Sequence, residues 1–363
     1  PLWGVVAYAD DVTILLEADS RARIEALASE TLGLMTEWGA RNRLEFSPSK
    51  SQTMLVKGKL QRAPTIRLCG SAVRHVQAAT ILGVTVDEHL SFGTHAASVG
   101  ERAASCFGKM SRVSMVSRGV RYRSLRVIYR GTYVPIVTYA AAIWGHRVGF
   151  HVVRSALLRT QRAPLILLTK CYRSVSTVAL PVLAGVLPAD LEVERAARVH
   201  ELRASGKSGR ELQGAVGGVH RDLLRRWQER WEGDEKGREL FRFFPDVETR
   251  MASAWVEPDH ETSQMLVGHG CFRKRLCAMQ LCETSLCYCG EAEEDLHHIL
   301  WECPLFLEER ERLLGGIHHG GEASLGPGEG SSTGSIAGGG ATVCLVGSRG
   351  DRGGERKRRA MES

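Results

Sequence analysis

Tyr8-Ala9-Asp10-Asp11 stands between two apolar runs, Val5-Val6-Ala7 and Val12-Thr13-Ile14-Leu15-Leu16, and this pattern constrains the fold more than any other. The β-branched residues on both sides favour strands, and Asp-Asp suits a tight turn, so the segment reads as a β-hairpin. Two carboxylates at a hairpin tip suit Mg²⁺, which takes one or two protein carboxylates and fills its shell with substrate phosphate oxygens. A pair of such ions clamps the attacking and leaving oxygens of an in-line displacement. The same tetrapeptide is also an ordinary turn signal, and only its surroundings separate the two readings.

Those surroundings predict an α+β chain. Asp19-Ser20 caps a helix running to about Arg41, with Ile24, Leu27, Ala28, Thr31, Met35 and Trp38 on one face. Short strands are expected at 44–46, 52–56 and 81–86, and a second hairpin around Gly70-Ser71. From about Thr94 the pattern turns helical, with Ala96, Val99, Ala103, Phe107 and Met110 forming a stripe. Pro135 breaks or kinks one of the helices that follow, and Pro164, Pro181 and Pro188 punctuate the next. Residues 207–218, polar and Gly-rich, read as a linker, and 221–244 as a small helical piece anchored by Trp227, Trp231, Phe241, Phe243 and Phe244. From Gly315 the Gly/Ser-rich composition predicts disorder. Arg356-Lys357-Arg358-Arg359 is a candidate nuclear-localisation or RNA-binding patch, or simply a solvated end.

Charge and cysteine placement say more than their totals. The net charge of +7 is concentrated: residues 101–173 hold fourteen bases and one acid, Glu101. A solvated helical face mixes signs, so this segment reads as a phosphate-facing surface, with Arg112, Arg118, Arg121, Arg123, Arg126 and Arg130 at its centre. Tyr122, Tyr129, Tyr133 and Tyr139 interleave with it, to stack on bases or to pack a core. Six of ten cysteines crowd into 271–303, and with no leader peptide ahead of them this fits metal binding rather than a secreted disulfide framework. Cys287, Cys289, His298 and Cys303 give C-x-C-x8-H-x4-C, enough for a closed tetrahedral Zn²⁺ shell. Cys271, Cys277, Cys282, His269 and His297 stand nearby as substitutes, and buried thiols without metal are the plainer alternative. Tyr288 or Trp301 offers such a knuckle a stacking face for single-stranded RNA, or packs its small core.

A length of 363 residues suggests about two to three domains, and no run of about 20 apolar residues exists to span a membrane. The chain opens at Pro1, inside a predicted strand and without an initiator Met, so a longer polyprotein is expected around it.

Taken in order, the motifs resemble the reverse transcriptases of non-LTR retrotransposons. Tyr8-Ala9-Asp10-Asp11 resembles their catalytic hairpin, and the loop 47–54 carrying Lys50 resembles the lysine-bearing motif after it. Residues 81–87 with His95 look like their primer-grip region and thumb entry, and 133–145 like their thumb helices. Gln161-Arg162, the segments 172–176 and 183–188, Gly268-His269-Gly270 and the Cys/His motif also match. The match covers residues 1 to about 314 and is most like the insect elements that insert into ribosomal RNA genes, related to Jockey-like elements.

The resemblance implies a partial polymerase palm at 1–90, a basic helical thumb and connection at 91–205, and a linker with a small helical segment at 206–260. A zinc-knuckle region at 261–314 and a tail at 315–363 complete it. It implies that Asp10 ligates Mg²⁺, that Asp11 assists or binds a second ion, and that Lys50 stabilises or protonates departing pyrophosphate. The implied partners are element RNA as template, target DNA as primer, and dNTPs, with the nucleus, reached through the cytoplasm, as the site of action. A palm also needs an aspartate upstream of the hairpin, so the chain alone is expected to be inactive. Two other readings stay open at this point. One is a group II intron maturase, and the other a non-catalytic RNA-binding protein derived from such an element.

Overall fold

A computed structural model describes residues 2–56, 58, 60–115, 121–253 and 255–312, with the side chains of 2, 3 and 111–115 excepted. Strand β1 (Leu2–Tyr8) pairs antiparallel with β2 (Asp11–Glu17), and Tyr8 faces Asp11 across a two-residue turn of Ala9 and Asp10. Ala9 takes φ +51°, the left-handed conformation that such tight hairpin turns require. Helix α1 (Arg21–Arg41) follows, its N-terminus capped by the Ser20 hydroxyl accepting from the Arg23 amide. Leu27 and Ala28 are buried, whereas Trp38, expected on the same face, is 54% exposed.

Residues 44–46 form no strand, because the chain folds back over the end of α1. The Leu44 amide donates to the Gly39 carbonyl at 2.8 Å, and a Cβ on Gly39 would meet Leu44 O at 2.8 Å. A further four short strands make two ribbons. β3 (Gln52–Thr53) pairs in parallel with β6 (Arg74–His75), and β4 (Arg67–Leu68) pairs with β5 (Ser71–Ala72). The expected single strand at 81–86 is instead the heart of a hairpin, β7 (Ala78–Ile81) and β8 (Val84–Asp87). Leu82 (φ +47°) and Gly83 (φ +81°) form its turn, and the Tyr139 hydroxyl donates to the Leu82 carbonyl at 2.9 Å. Among the described residues the strands therefore form separate two-stranded ribbons, not one sheet.

The core belongs to the helices. Helix α2 (Gly93–Met115) buries Ala96, Val99, Ala103 and Phe107, while Met110 at the end of the expected stripe is exposed. α2 lies so close to α6 (His151–Thr169) that a Cβ on Gly100 would sit 2.2 Å from Thr160 Oγ1. Between them run α3 (Tyr122–Ile128), a π-helical turn (Tyr129–Tyr133), α4 (Val134–Val137) and α5 (Ala141–Trp144). The wide turn comes just before Pro135 and brings Tyr129 and Tyr133 into a stack, centroids 4.8 Å apart, inside the core. Tyr122 is buried too, so three of the four tyrosines in the basic segment pack the core.

Pro164 does not end a helix. α6 runs through it to Thr169, and burial of Leu157, Leu165 and Leu168 against neighbouring helices outweighs the roughly 3 kcal/mol that an interior proline costs. Helix α7 (Ala179–Ala184) contains Pro181, and Pro188 serves as the N-cap of α8 (Ala189–Ala204). Gln161 locks this junction with all its polar atoms engaged. Its Nε2 donates to Tyr129 Oη and the Leu187 carbonyl, each at 2.9 Å, and its Oε1 accepts from the Ala189 amide.

The linker expected at 207–218 is mostly helix. α9 (Gly209–Gly233) is continuous for 25 residues despite its glycines. Val219, Leu223, Trp227 and Trp231, four apart, bury one stripe, and Arg198–Asp222, Arg226–Glu194 and Arg230–Asp190 ion pairs bind it to α8. Shorter helices follow: α10 (Arg238–Phe243), α11 (Val247–Ala252), α12 (His260–Val267) and α13 (Arg273–Ala278). One apolar cluster extends from Val84 to Val267, across the borders expected at 90, 205 and 260. A second unit begins at Glu308, and of it residues 308–312 are described and helical. The tail expected at 315–363 lies outside the described residues, and no described helix is long and apolar enough to cross a membrane.

The end of α7 shows how this core uses cations. Gly185 (φ +55°) terminates the helix, and three side chains cover its last carbonyls. Arg250 donates to Leu183 O, Tyr122 to Ala184 O, and Arg126 to Gly185 O. Arg250 is 2% exposed, and burial depresses its guanidinium pKa. Arg250→Ala is expected to lower stability by about 3 kcal/mol, since it leaves buried acceptors unpaired. The shift in urea midpoint measures this, and a change under about 0.5 kcal/mol would show that the contacts are incidental.

Candidate metal centre and nucleic-acid interface

Cys287, Cys289, His298 and Cys303 converge. One ligand atom from each lies within 4.8 Å of every other, and this is the one group of three or more such residues among those described. Cys287 Sγ and Cys303 Sγ are 3.7 Å apart, and Cys289 Sγ is 3.2 Å from His298 Nε2. Two thiolates bound tetrahedrally at about 2.3 Å would stand about 3.8 Å apart, so the sulfur pair fits zinc closely.

Local backbone chemistry builds the site. Leu286 and Glu293 bridge a tight loop, and the Cys287 amide donates to Ala292 O at 2.8 Å. Gly290 (φ +80°) turns the chain so that the Glu291 amide donates to Cys289 Sγ at 3.4 Å. On the other side a π-helical turn, His298–Glu302, ends with the Cys303 amide donating to His298 O at 2.7 Å. His298 Nδ1 is buried without a hydrogen-bond partner, and the Glu302 carboxylate lies 3.6 Å away.

Burial pushes the Cys287 thiol up to about 11, with the neighbouring thiols adding to it. The Glu291 amide, helped by His298, lowers Cys289 to about 7. Between Leu281 and Leu307 the buried residues are Cys287, His298 and Cys303, all members of the cluster. The segment has no apolar core of its own, and a bound cation would replace one. With four donors in place no position is left for water, so the arrangement suits structural rather than catalytic metal.

The other candidate ligands lie elsewhere. Cys271 Sγ is 3.6 Å from Tyr172 Oη, Cys282 Sγ contacts the Arg273 and Thr284 carbonyls, and His297 pairs with Glu302. His269 Nδ1 lies 3.1 Å from Ser174 Oγ and 3.3 Å from the Arg275 guanidinium. Burial and then Arg275 lower its pKa to about 4. The folded chain thus resists a proton that the unfolded chain accepts near pH 6.5, and His95, buried and lowered for the same first reason, acts alike. Stability is expected to be full above about pH 6.5 and to fall as pH drops toward about 4. Urea midpoints across that window measure it, and an undiminished slope in His95→Gln and His269→Gln would assign the effect to other groups.

Tyr288 and Trp301 do not pack the module's interior, being 74% and 62% exposed. The Arg273 guanidinium lies over the Tyr288 ring, 4.5 Å from its centroid. Asp10 and Asp11 sit exposed at the tip of the β1–β2 hairpin, and Lys50 on an exposed turn just before β3. Of the six arginines expected to face phosphate, Arg121, Arg123 and Arg130 are exposed. Arg123 pairs with Glu257, and Arg126 is half-buried against α7. Arg118 and the side chain of Arg112 lie outside the described residues.

Comparison with known proteins gives a consistent result. The chain is 34% identical over 357 residues to the Retrovirus-related Pol polyprotein from type-1 retrotransposable element R1 4 of Nasonia vitripennis, covering 87% of this chain and 88% of that protein. It is 34% identical over 336 residues to the Putative 115 kDa protein in type-1 retrotransposable element R1DM of Drosophila melanogaster, covering 89% of this chain. It spans 33% of the length of that second relative. A more distant likeness, 21% over 157 residues, links 43% of the chain to 17% of the RNA-directed DNA polymerase from mobile element jockey of Drosophila melanogaster. No family profile and no solved structure matches.

Proposed function

The chain belongs to the Pol polyproteins of R1-type type-1 retrotransposable elements, and on that premise we propose that it is the C-terminal part of an RNA-directed DNA polymerase. The observation that carries this reading is the β1–β2 hairpin, whose two-residue turn leaves Asp10 and Asp11 exposed side by side in a relative of the jockey polymerase. The parent protein copies element RNA into DNA, extending a 3′-hydroxyl of chromosomal target DNA, and so acts in the nucleus on RNA, DNA and dNTPs.

Asp10 and Asp11 would hold Mg²⁺, which when bound supplies charge for the triphosphate and activates the primer hydroxyl. Lys50, on a loop, presents an ammonium for pyrophosphate. Asp10 and Asp11 join no larger cluster of potential ligands among the described residues. A two-metal site needs more, and a further carboxylate comes from a segment of the longer polyprotein. Val5 and Val6, on opposite faces of β1 and both exposed (44% and 59%), fit a hairpin that other strands cover in the parent. Cys287, Cys289, His298 and Cys303 would hold Zn²⁺ as a structural ion, which fixes the module that carries Tyr288 and Trp301.

Primer extension on an RNA template by the longer polyprotein tests the reading. Activity that survives Asp10→Ala undiminished would overturn it. The isolated chain is expected to bind nucleic acid without extending a primer.

A further inference from the structure

A cleft of about 710 Å³ opens between the loop joining α6 to α7 and two distant segments, 234–237 and 269–275. Three cations line it, Arg162, Lys236 and Arg275, against one carboxylate, Asp234. Ser174, Ser176 and Thr177 bring hydroxyls to the same wall. Arg162 is fixed in place, with Nη1 donating to Thr177 Oγ1 at 2.7 Å and Nη2 donating to the Arg173 carbonyl. The Arg275 guanidinium is steadied by His269, a neutral ring at ordinary pH.

The Ser176 hydroxyl is buried and has no hydrogen-bond partner among the described residues. A buried hydroxyl left in that state costs free energy unless a ligand supplies an acceptor. Three cationic side chains around one hollow, with the Arg162 guanidinium fixed in place, suit a phosphate. No Phe, Tyr or Trp lines the cleft, and its one aromatic ring, His269, is engaged with Ser174 and Arg275, which favours phosphate over base stacking. A second hollow shares Ser176, His269 and Arg275 with it and continues to Asp295 and His297, at the edge of the Cys/His module.

We propose that this cleft seats a backbone phosphate of a single-stranded nucleic acid that passes along the Cys/His module. The assignment deepens the polymerase reading and rests on it for the source of the phosphate. It also moves a phosphate contact away from the α3 arginines, one of which caps α7 instead.

Two measurements on the full chain test this, with Lys236→Gln/Arg275→Gln and Ser176→Ala as variants. Inorganic phosphate, titrated against chloride at matched ionic strength, is expected to raise the melting temperature of the wild type and much less that of the double variant. Ser176→Ala removes a hydroxyl that the fold does not use, so its melting temperature in chloride should hold while its phosphate response shrinks. A short single-stranded RNA should bind the double variant roughly fivefold more weakly, with the slope of log K against log salt reduced by about 0.7. An equal phosphate response in all three proteins would overturn the site. A lost phosphate response with unchanged RNA affinity and slope would overturn the backbone assignment, leaving a free-anion site. Failure of the longer polyprotein to extend a primer would sink the polymerase reading alone, because neither of these measurements involves synthesis.

Discussion

Cys303→Ser is expected to strip bound zinc from the chain and to unfold residues 281–307 while the helical core stays intact. In this segment the fully buried residues all belong to the candidate donor set, so little apolar packing remains to hold it once the shell opens. Structural zinc in comparably small units contributes about 10–16 kcal/mol of apparent binding free energy at neutral pH, and here that would be nearly the whole folding free energy of the module. Cys277→Ser provides the control, since Cys277 stands outside the cluster. Zinc content by atomic absorption and the rate of proteolytic cleavage within 281–307 report the outcome. Zinc retained in Cys303→Ser and lost in Cys277→Ser would reverse the ligand assignment. A chain that never carries zinc, yet resists cleavage in this segment, would remove the metal from the account.

Asp10→Ala in the longer polyprotein should reduce RNA-templated DNA synthesis by about a thousandfold or more. Metal stabilisation of transition-state charge is worth several kcal/mol, and each 1.36 kcal/mol is tenfold in rate. Asp10 is exposed in a turn, so the substitution should change stability by no more than about 0.5 kcal/mol. A lost rate with an unchanged melting temperature would therefore report chemistry, not misfolding. Lys50→Ala should cost less, about 10²-fold, which is what the proposed role in proton transfer or charge at the leaving pyrophosphate implies. Equal losses in Lys50→Ala and Asp10→Ala would mean that the two act as one unit. Full activity in Asp10→Ala would reduce the hairpin to a turn and leave the Cys/His module as the working part of the chain.

Local chemistry was readable from the sequence. The β1–β2 hairpin follows from β-branched runs on either side of a turn, the start of α1 from the Ser20 cap, and the four-donor cluster from the spacing of its cysteines and histidine. Each depends on residues within a few positions of one another, or on a covalent spacing that a single small loop can close. The short hairpin at Leu82-Gly83 belongs to the same class, yet its sequence reads as one strand. Its turn is stabilised from outside, by the Tyr139 hydroxyl on the Leu82 carbonyl.

Where the deciding partner is distant, tertiary structure took over. Glycines at 209–218 argue for a linker, but the stripe from Val219 to Trp231 and the ion pairs to α8 carry the helix through them. Pro164 argues for a helix end, and burial of α6 on both sides overrides it. The basic run at 101–173 reads uniformly as a phosphate surface, yet Arg126 caps a helix and three of its tyrosines pack the core. Conversely, the cleft of Arg162, Lys236 and Arg275 leaves no trace in any window of sequence, since its cations are more than thirty residues apart. Sequence by itself determined the chemistry each short segment offers. Only the folded chain decided which charges point inward to carbonyls and which line an open cleft, because that choice is made by burial and burial is a property of the whole core.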